Sequence, residues 1–167
     1  EIQLNKNKFL SLLNKTKISM SSDETRHYLN GVFLHTMESD TKTFLAGVST
    51  DSHRLSSSSL EIGKNEGFNA VILPRKTIYQ LITLISEINS DILIKSSETK
   101  VLFKIGKTKL VSKIIDGKFP DYKKVIPNEN KQILVVPTKE FISSIERVIA
   151  VSIDKKEGVK LEIKNDH

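Results

Sequence analysis

The sequence predicts an α+β domain built from two pseudo-equivalent halves, with helices on one side and antiparallel sheets on the other. In each half a short strand precedes an amphipathic helix, at residues 1–16 and again at residues 71–87. Three stretches with strand character, separated by polar turns, then follow each helix. Because the same unit order recurs with similar spacing, we favour a true repeat whose two halves form one domain.

The first half opens with an alternating strand at residues 1–4. A helix is expected after Asn5, a residue type that caps helix N-termini. The apolar face of this helix has helical spacing and consists of Phe9, Leu12, Leu13 and Thr16. We expect the strands that follow at residues 28–35, 44–49 and 54–60.

The second half begins with a strand at residues 71–74, and a helix is expected directly after Pro74. The apolar stripe of this helix consists of Ile78, Leu81, Ile82 and Ile85. We expect further strands at residues 92–95, 100–105 and 109–115. A hairpin turn at Gly106 joins the last two of these strands.

The end of the chain repeats the strand-helix order a third time. A strand is expected from Ile133, a helix after Pro137 and another strand at residues 159–163. Phe141 takes the place in this unit that Phe9 has in the first helix.

The repeats divide the chain into three predicted segments. Residues 1–127 form a complete domain, residues 128–131 a polar linker and residues 132–167 the truncated beginning of a further domain. Because the first residue is Glu1 rather than Met, we expect the chain to be a fragment of a longer polypeptide.

The charge balance favours a polyanionic partner. Lys and Arg number 26 and Asp and Glu 20, which gives a net charge of +6 and a pI near 9.4. Lys8 and Lys15 lie on a polar face of the first predicted helix, and Arg75 and Lys76 open the second. Cationic faces on successive helices indicate binding to phosphates. The alternative is a lysine-rich surface that only confers solubility.

The sequence lacks the residues that several classes of function require. The absence of cysteine excludes disulfides, CxxC zinc sites and cysteine nucleophiles. No pair of glycines has the spacing of a phosphate-binding loop, and no two histidines have that of a metal site. No apolar run approaches the roughly 20 residues that span a bilayer. We therefore predict no cofactor, no metal and no membrane association, and we expect a cytoplasmic protein.

The segment TDSHR at residues 50–54 places an acid, a hydroxyl and an imidazole side by side. A catalytic triad needs these groups to converge in space, whereas neighbours on an extended segment point to opposite sides. We therefore predict no catalytic residue. A hydrolase that uses His53 with Asp51 or Ser52 is the alternative from the enzyme class.

Four motifs, in this order, carry a resemblance to a known family. They are YLNG at residues 28–31, TDSHRL at residues 50–55, PRK at residues 74–76 and DGKFPDY at residues 116–122. Together they resemble the β sliding clamp, the processivity subunit of the bacterial replicative DNA polymerase. The resemblance covers the family's middle domain and the opening of its third domain.

The resemblance implies the sliding-clamp fold and a role without catalysis. Members of the family form a head-to-tail dimeric ring that encircles double-stranded DNA and tethers the polymerase in bacterial DNA replication. Helices line the hole and contact the DNA backbone without reading its sequence. The positions that would face DNA here are Lys8, Lys15, Arg26, His27, Tyr28, Arg75 and Lys76.

The resemblance also implies a groove that binds short linear motifs of polymerase subunits, the clamp loader and repair proteins. Its matching positions are Leu29, Thr50, His53, Arg54, Leu55, Pro120, Lys124 and Val125. Ser52 stands where the family often has glycine, and Lys124 where arginine is common. We expect both departures to weaken the groove, since Lys cannot make the bidentate contact of Arg. We also expect this chain to bind such peptides more weakly than an intact subunit, and to form no ring alone.

The same cationic helices allow a second hypothesis, a sequence-independent DNA-binding module that does not close into a ring. The two hypotheses differ in whether the protein stays on DNA through topology or through contact energy.

Overall fold

A computed structural model describes residues 1–39, 41–63, 68–127, 129–151 and 158–163. Its contacts separate two compact units, Glu1–Pro120 and Asp121–His167. Among the described residues, none of the helices is long and apolar enough to cross a membrane.

The first half of the larger unit has the predicted order of one strand, one helix and three strands. The Asn5 side chain caps the helix, because its Oδ1 accepts the N–H groups of Asn7 at 3.1 Å and Lys8 at 3.2 Å. The elements are β1 (Ile2–Leu4), α1 (Lys6–Thr16), β2 (Gly31–Ser39), β3 (Lys42–Thr50) and β4 (Leu55–Ile62).

The second half repeats this order. Its helix follows Pro74 directly, and a hairpin turn at Gly106, whose φ is +55°, joins its last two strands. The elements are β5 (Val71–Pro74), α2 (Arg75–Glu87), β6 (Ile92–Ser96), β7 (Lys100–Ile105) and β8 (Thr108–Lys113).

The two halves exchange their first strands. One antiparallel sheet has the order β4-β3-β2-β5, and the other has the order β1-β6-β7-β8. The short strand before each helix therefore completes the sheet of the other half: Leu4 pairs with Ile92, and Gly31 with Pro74. Neither half can complete its four-stranded sheet without the other.

One apolar core joins both sheets and both helices. Phe9 of α1 stacks on Phe103 of β7 with ring centroids 6.4 Å apart, and both rings are fully buried. Burial of a side chain of this size contributes roughly 1.5–3 kcal/mol to folding. The predicted apolar face of α1 is entirely buried, and in α2 only Ile82 of the predicted stripe is half-buried. The helical periodicity is thus confirmed.

The strand predicted at residues 28–35 begins too early. Tyr28 and Leu29 belong to a 3₁₀ helix, Glu24–Leu29, and the strand starts at Gly31. The Asn30 N–H donates to the His27 carbonyl at 3.0 Å, which closes the helical turn before the strand can begin. The last strand ends at Lys113 rather than at residue 115, although Ile115 still forms a single bridge to Ile72.

The smaller unit contains a 3₁₀ helix, Tyr122–Val125, and α3 (Thr138–Ala150). The predicted helix is confirmed. The predictions of strands from Ile133 and at residues 159–163 are wrong, since neither segment is a strand in the structure. A strand needs a partner for its backbone N–H and C=O groups, and no strand pairing involves the described residues of this unit.

Gly31 of β2 lies close to the backbone of the exchanged strand β5. A Cβ atom at this position would lie 2.0 Å from the Leu73 carbonyl oxygen, which is backbone and cannot rotate away. We expect Gly31→Ala to lower the free energy of unfolding by about 1–3 kcal/mol, because β2 and β5 must move apart. Chemical denaturation followed by circular dichroism measures this loss.

Gly63→Ala is the matched control, since a Cβ at Gly63 meets nothing within 4 Å. We expect it to change the unfolding free energy by less than about 0.5 kcal/mol. Equal destabilisation by the two substitutions would contradict the close approach of Gly31 to the Leu73 carbonyl group.

Candidate functional site

Both predicted cationic helix faces are exposed. Lys8 and Lys15 project from α1, whose opposite face is buried, and Arg75 and Lys76 lie in the first turn of α2. The two helices pack against each other, so one helical layer carries all four side chains. Such a layer can contact several phosphates of one nucleic acid backbone.

The connections at one end of the β4-β3-β2-β5 sheet converge. Gly31 at the start of β2 lies opposite Pro74 at the end of β5, and Thr50 at the end of β3 lies opposite Leu55 at the start of β4. The 3₁₀ helix before β2, the turn between β3 and β4 and the start of α2 therefore meet at this end of the sheet.

The 3₁₀ helix Glu24–Leu29, hereafter the 3₁₀ segment, is kinked at Arg26 and is capped at its N-terminus by Asp23. One carboxylate oxygen of Asp23 accepts the Thr25 N–H at 2.9 Å and the Thr25 hydroxyl at 2.6 Å. The other oxygen accepts Arg26 Nε–H at 2.9 Å. The hydrogen bonds from Thr25, aided by Arg26, lower the pKa of Asp23 to about 2. The carboxylate is thus charged at physiological pH and fixes the first turn.

His27 and Tyr28 are held by a turn after β8. His27 Nε2 lies 3.2 Å from the Asp116 carbonyl oxygen, and its ring meets the Tyr28 ring edge-on at 5.9 Å. Gly117 has a φ of +140°, and a Cβ there would come within 3.1 Å of Tyr28 Cβ. Close packing against the DGKFP motif therefore positions both side chains.

Side-chain hydrogen bonds also fix the conformation of residues 50–54, hereafter the 50–54 loop. Asp51 Oδ1 accepts the N–H groups of His53 and Arg54 at 3.0 Å each, and Asp51 Oδ2 accepts Arg54 Nε–H at 3.0 Å. Thr50 Oγ1 donates to the Arg54 carbonyl at 2.8 Å and accepts the Ser52 N–H at 3.1 Å. Partial burial alone would raise the pKa of Asp51. The hydrogen bonds from the His53 and Arg54 N–H groups and from the Arg54 guanidinium have the larger combined effect and lower the pKa.

The hydrolase alternative finds no support in this geometry. Both Asp51 oxygens bind donors of the loop itself, and the Ser52 hydroxyl accepts a hydrogen bond from Arg26. Asp51 therefore shapes the loop rather than orienting the His53 ring. Within the described ranges, no group of three or more His, Asp or Glu side chains could hold a metal ion.

A cleft of about 480 Å³ lies where the 3₁₀ segment, the 50–54 loop and α2 meet. It brings together Arg26 and Arg75, predicted to face DNA, with His53 and Arg54, predicted to line the peptide groove. The Arg75 guanidinium stacks 5.6 Å above the Tyr79 ring. The cleft is lined by Lys17, Ile18, Met20, Ser21, Ser22, Asp23, Arg26, Asp51, His53, Arg54, Arg75 and Tyr79.

The remaining predicted groove residues differ in their exposure to solvent. Leu29 is buried, Thr50 and Leu55 are half-buried and Pro120 is exposed at the end of the larger unit. Lys124 and Val125 are exposed in the 3₁₀ helix of the smaller unit, where Lys124 Nζ lies 3.3 Å from Asp121 Oδ2. Assembly of all eight residues into one groove stays a prediction.

Sequence reasoning missed Asp23 and Tyr79 as parts of this site. A signal existed for Tyr79, which follows Arg75 at the i, i+4 spacing that lets their side chains touch. Asp23 had none, because it caps a 3₁₀ helix that the sequence did not predict.

The family of the chain follows from its sequence as well as from this fold. Residues 3–121 match the family described as DNA polymerase III beta subunit, central domain. The chain is 37% identical over 163 residues to the beta sliding clamp of Caulobacter vibrioides and 38% identical over 162 residues to that of Rickettsia felis. The chain therefore belongs to the β sliding clamp family.

Solved structures agree with the fold. A sliding clamp from Bartonella birtlesii superimposes with a TM-score of 0.86 at 40% identity and covers 92% of this chain. The sliding clamp of Bacillus subtilis gives a TM-score of 0.82 at 29% identity over 93% of the chain. The α+β sliding-clamp fold is thus confirmed. The chain spans only 44% of the Caulobacter relative and 41% of the Bartonella chain.

The hydrogen bonds at Asp23 predict a pH dependence. Since its pKa falls from 3.8 to about 2, the stability that these bonds contribute is present above pH 3.8 and lost as pH falls through 2. We expect the Asp23 carboxyl ¹³C resonance to titrate near pH 2. Thr25→Val removes the hydroxyl donor and moves this midpoint towards 3.8.

Thr41→Val, at an exposed turn position, serves as the control and leaves the Asp23 midpoint unchanged. A wild-type midpoint near 3.8 would show that Asp23 does not cap the 3₁₀ segment.

Proposed function

We propose that this chain is the DNA-contacting middle part of a bacterial sliding clamp, which encircles duplex DNA and confers processivity on the replicative polymerase. The observation that carries this proposal is the cationic layer of α1 and α2, with Lys8, Lys15, Arg75 and Lys76 exposed on two packed helices. Family membership of the chain supports it.

The proposed contact is sequence-independent. Lys and Arg side chains that reach phosphates release counterions and carry no base readout. Such contacts form and break easily, which suits a protein that slides. A closed head-to-tail dimer of the complete subunit then supplies retention through topology, and no covalent chemistry is required of the chain.

The 50–54 loop is the proposed wall of the partner groove. Its backbone is pre-organised by Asp51 and Thr50, so a peptide pays little to order it. Two buried apolar anchors of a peptide contribute roughly 3–6 kcal/mol. Micromolar affinity needs about 8 kcal/mol, so polar contacts to groups such as His53 and Arg54 must add to it. The proposed partners are polymerase subunits, the clamp loader and repair proteins in the cytoplasm.

The cationic layer is tested by charge reversal. We expect Lys8→Glu with Lys15→Glu to weaken binding to a short duplex at least about tenfold at low salt. Because two phosphate contacts are lost, the slope of log K against log salt falls by about 2. Fluorescence anisotropy with two duplexes of unrelated sequence measures both quantities, and we expect equal affinity for the two.

Lys107→Glu with Lys109→Glu makes the same charge change on the β7–β8 hairpin, which is not part of α1 or α2. We expect this control to keep most of the affinity and the full salt slope. An equal loss in both double variants would mean that net charge, not the helical layer, governs binding.

A further inference from the structure

Ser52 has a backbone conformation that a glycine would adopt more easily. Its φ is +81°, and it is the one non-glycine residue with positive φ among the residues that the structure describes. A side chain in this region is strained, because Cβ approaches the neighbouring carbonyl oxygen. What serine offers here that glycine lacks is its hydroxyl group.

The Ser52 hydroxyl joins two parts of the candidate site. It accepts a hydrogen bond from Arg26 Nη1, while Arg26 Nε donates to Asp23 at 2.9 Å. The guanidinium is therefore held from two sides, by its own 3₁₀ segment and by the 50–54 loop. The Arg26 side chain still exposes 38% of its surface, so its remaining N–H groups are open to an anion.

On the loop side, a change at Ser52 cannot remain local. Its own N–H binds Thr50 Oγ1, and the next two N–H groups, of His53 and Arg54, share Asp51 Oδ1. Displacement of Ser52 alters this hydrogen-bonded turn. His53 and Arg54, which line the cleft together with Arg26, follow it.

We propose that Ser52 is a positioning residue that couples the phosphate contact of Arg26 to the conformation of the 50–54 loop. The hydroxyl orients the Arg26 guanidinium towards a phosphate of duplex DNA. A phosphate bound there changes the conformation of the loop at His53 and Arg54. By linkage, a ligand that moves the loop changes the affinity of Arg26 for phosphate by the same factor. This inference rests on the proposed function, since it takes DNA as the ligand of Arg26.

The experiment is an NMR titration of the ¹⁵N-labelled chain with a short DNA duplex at low salt. The observed signals are the Arg26 side-chain Nε–H and the backbone amides of Ser52, His53 and Arg54. In the wild-type chain we expect all of them to shift with one common midpoint.

In Ser52→Ala, which keeps the backbone strain and removes the hydroxyl, the Arg26 signal shifts at a duplex concentration about 2- to 10-fold higher. The amides of His53 and Arg54 no longer respond. Ser52→Gly loses the coupling in the same way but unfolds at a higher temperature than Ser52→Ala, because glycine relieves the positive φ. Ser59→Ala, at an exposed position of β4, behaves like the wild type.

An unchanged response of the His53 and Arg54 amides in Ser52→Ala and Ser52→Gly would overturn the coupling and leave the proposed function intact. The same holds if Arg26 shifts in the wild type while the loop amides do not. If neither Arg26 nor the amides of Lys8 and Lys15 shift in the wild type, DNA is not the ligand, and the proposed function fails together with the inference.

Discussion

The exchange of β1 and β5 between the two halves is the constraint on which the rest of the larger unit depends. Each strand runs directly into its helix, so placing β1 beside β6 and β5 beside β2 also brings α1 and α2 together. The helices bury one face in the shared core, and their cationic faces remain exposed in a single layer. A repeat of modest sequence similarity thereby becomes one cooperative unit, in which Gly31 gives β5 the room that it needs.

The same pairing register assembles the candidate site. Segments far apart in sequence meet at one end of the β4-β3-β2-β5 sheet because β2 and β4 start where β3 and β5 end. Hydrogen bonds from side chains then fix each segment: Asp23 holds the 3₁₀ segment, and Asp51 holds the 50–54 loop. Arg26 and Ser52 connect the two segments. Residues implied for DNA and residues implied for partner peptides thus share one cleft.

Helical periodicity was sufficient to predict α1, α2 and α3, and with them the exposure of Lys8 and Lys15, because one buried face dictates which residues point outward. The 3₁₀ segment was not predicted, because Asp23 and local turns stabilise it and its sequence has no apolar periodicity that would indicate a helix. The cleft was not predicted either, because it depends on strand register, which a single sequence does not specify. The prediction of a strand from Ile133 was wrong for a related reason: the apolar run at residues 133–136 can form a strand only where a partner strand is present.

The central claim is that a protein of this family stays on DNA through topology while its helices contribute only weak phosphate contacts. The most direct measurement uses the polypeptide at the full length of its relatives, loaded by its clamp loader onto a nicked circular plasmid and passed through a sizing column at moderate salt. The plasmid is then linearised and the run repeated. The account predicts that the protein remains on the circle and is lost from the linear DNA. Equal retention on both forms would contradict it and favour a DNA-binding module held by contact energy.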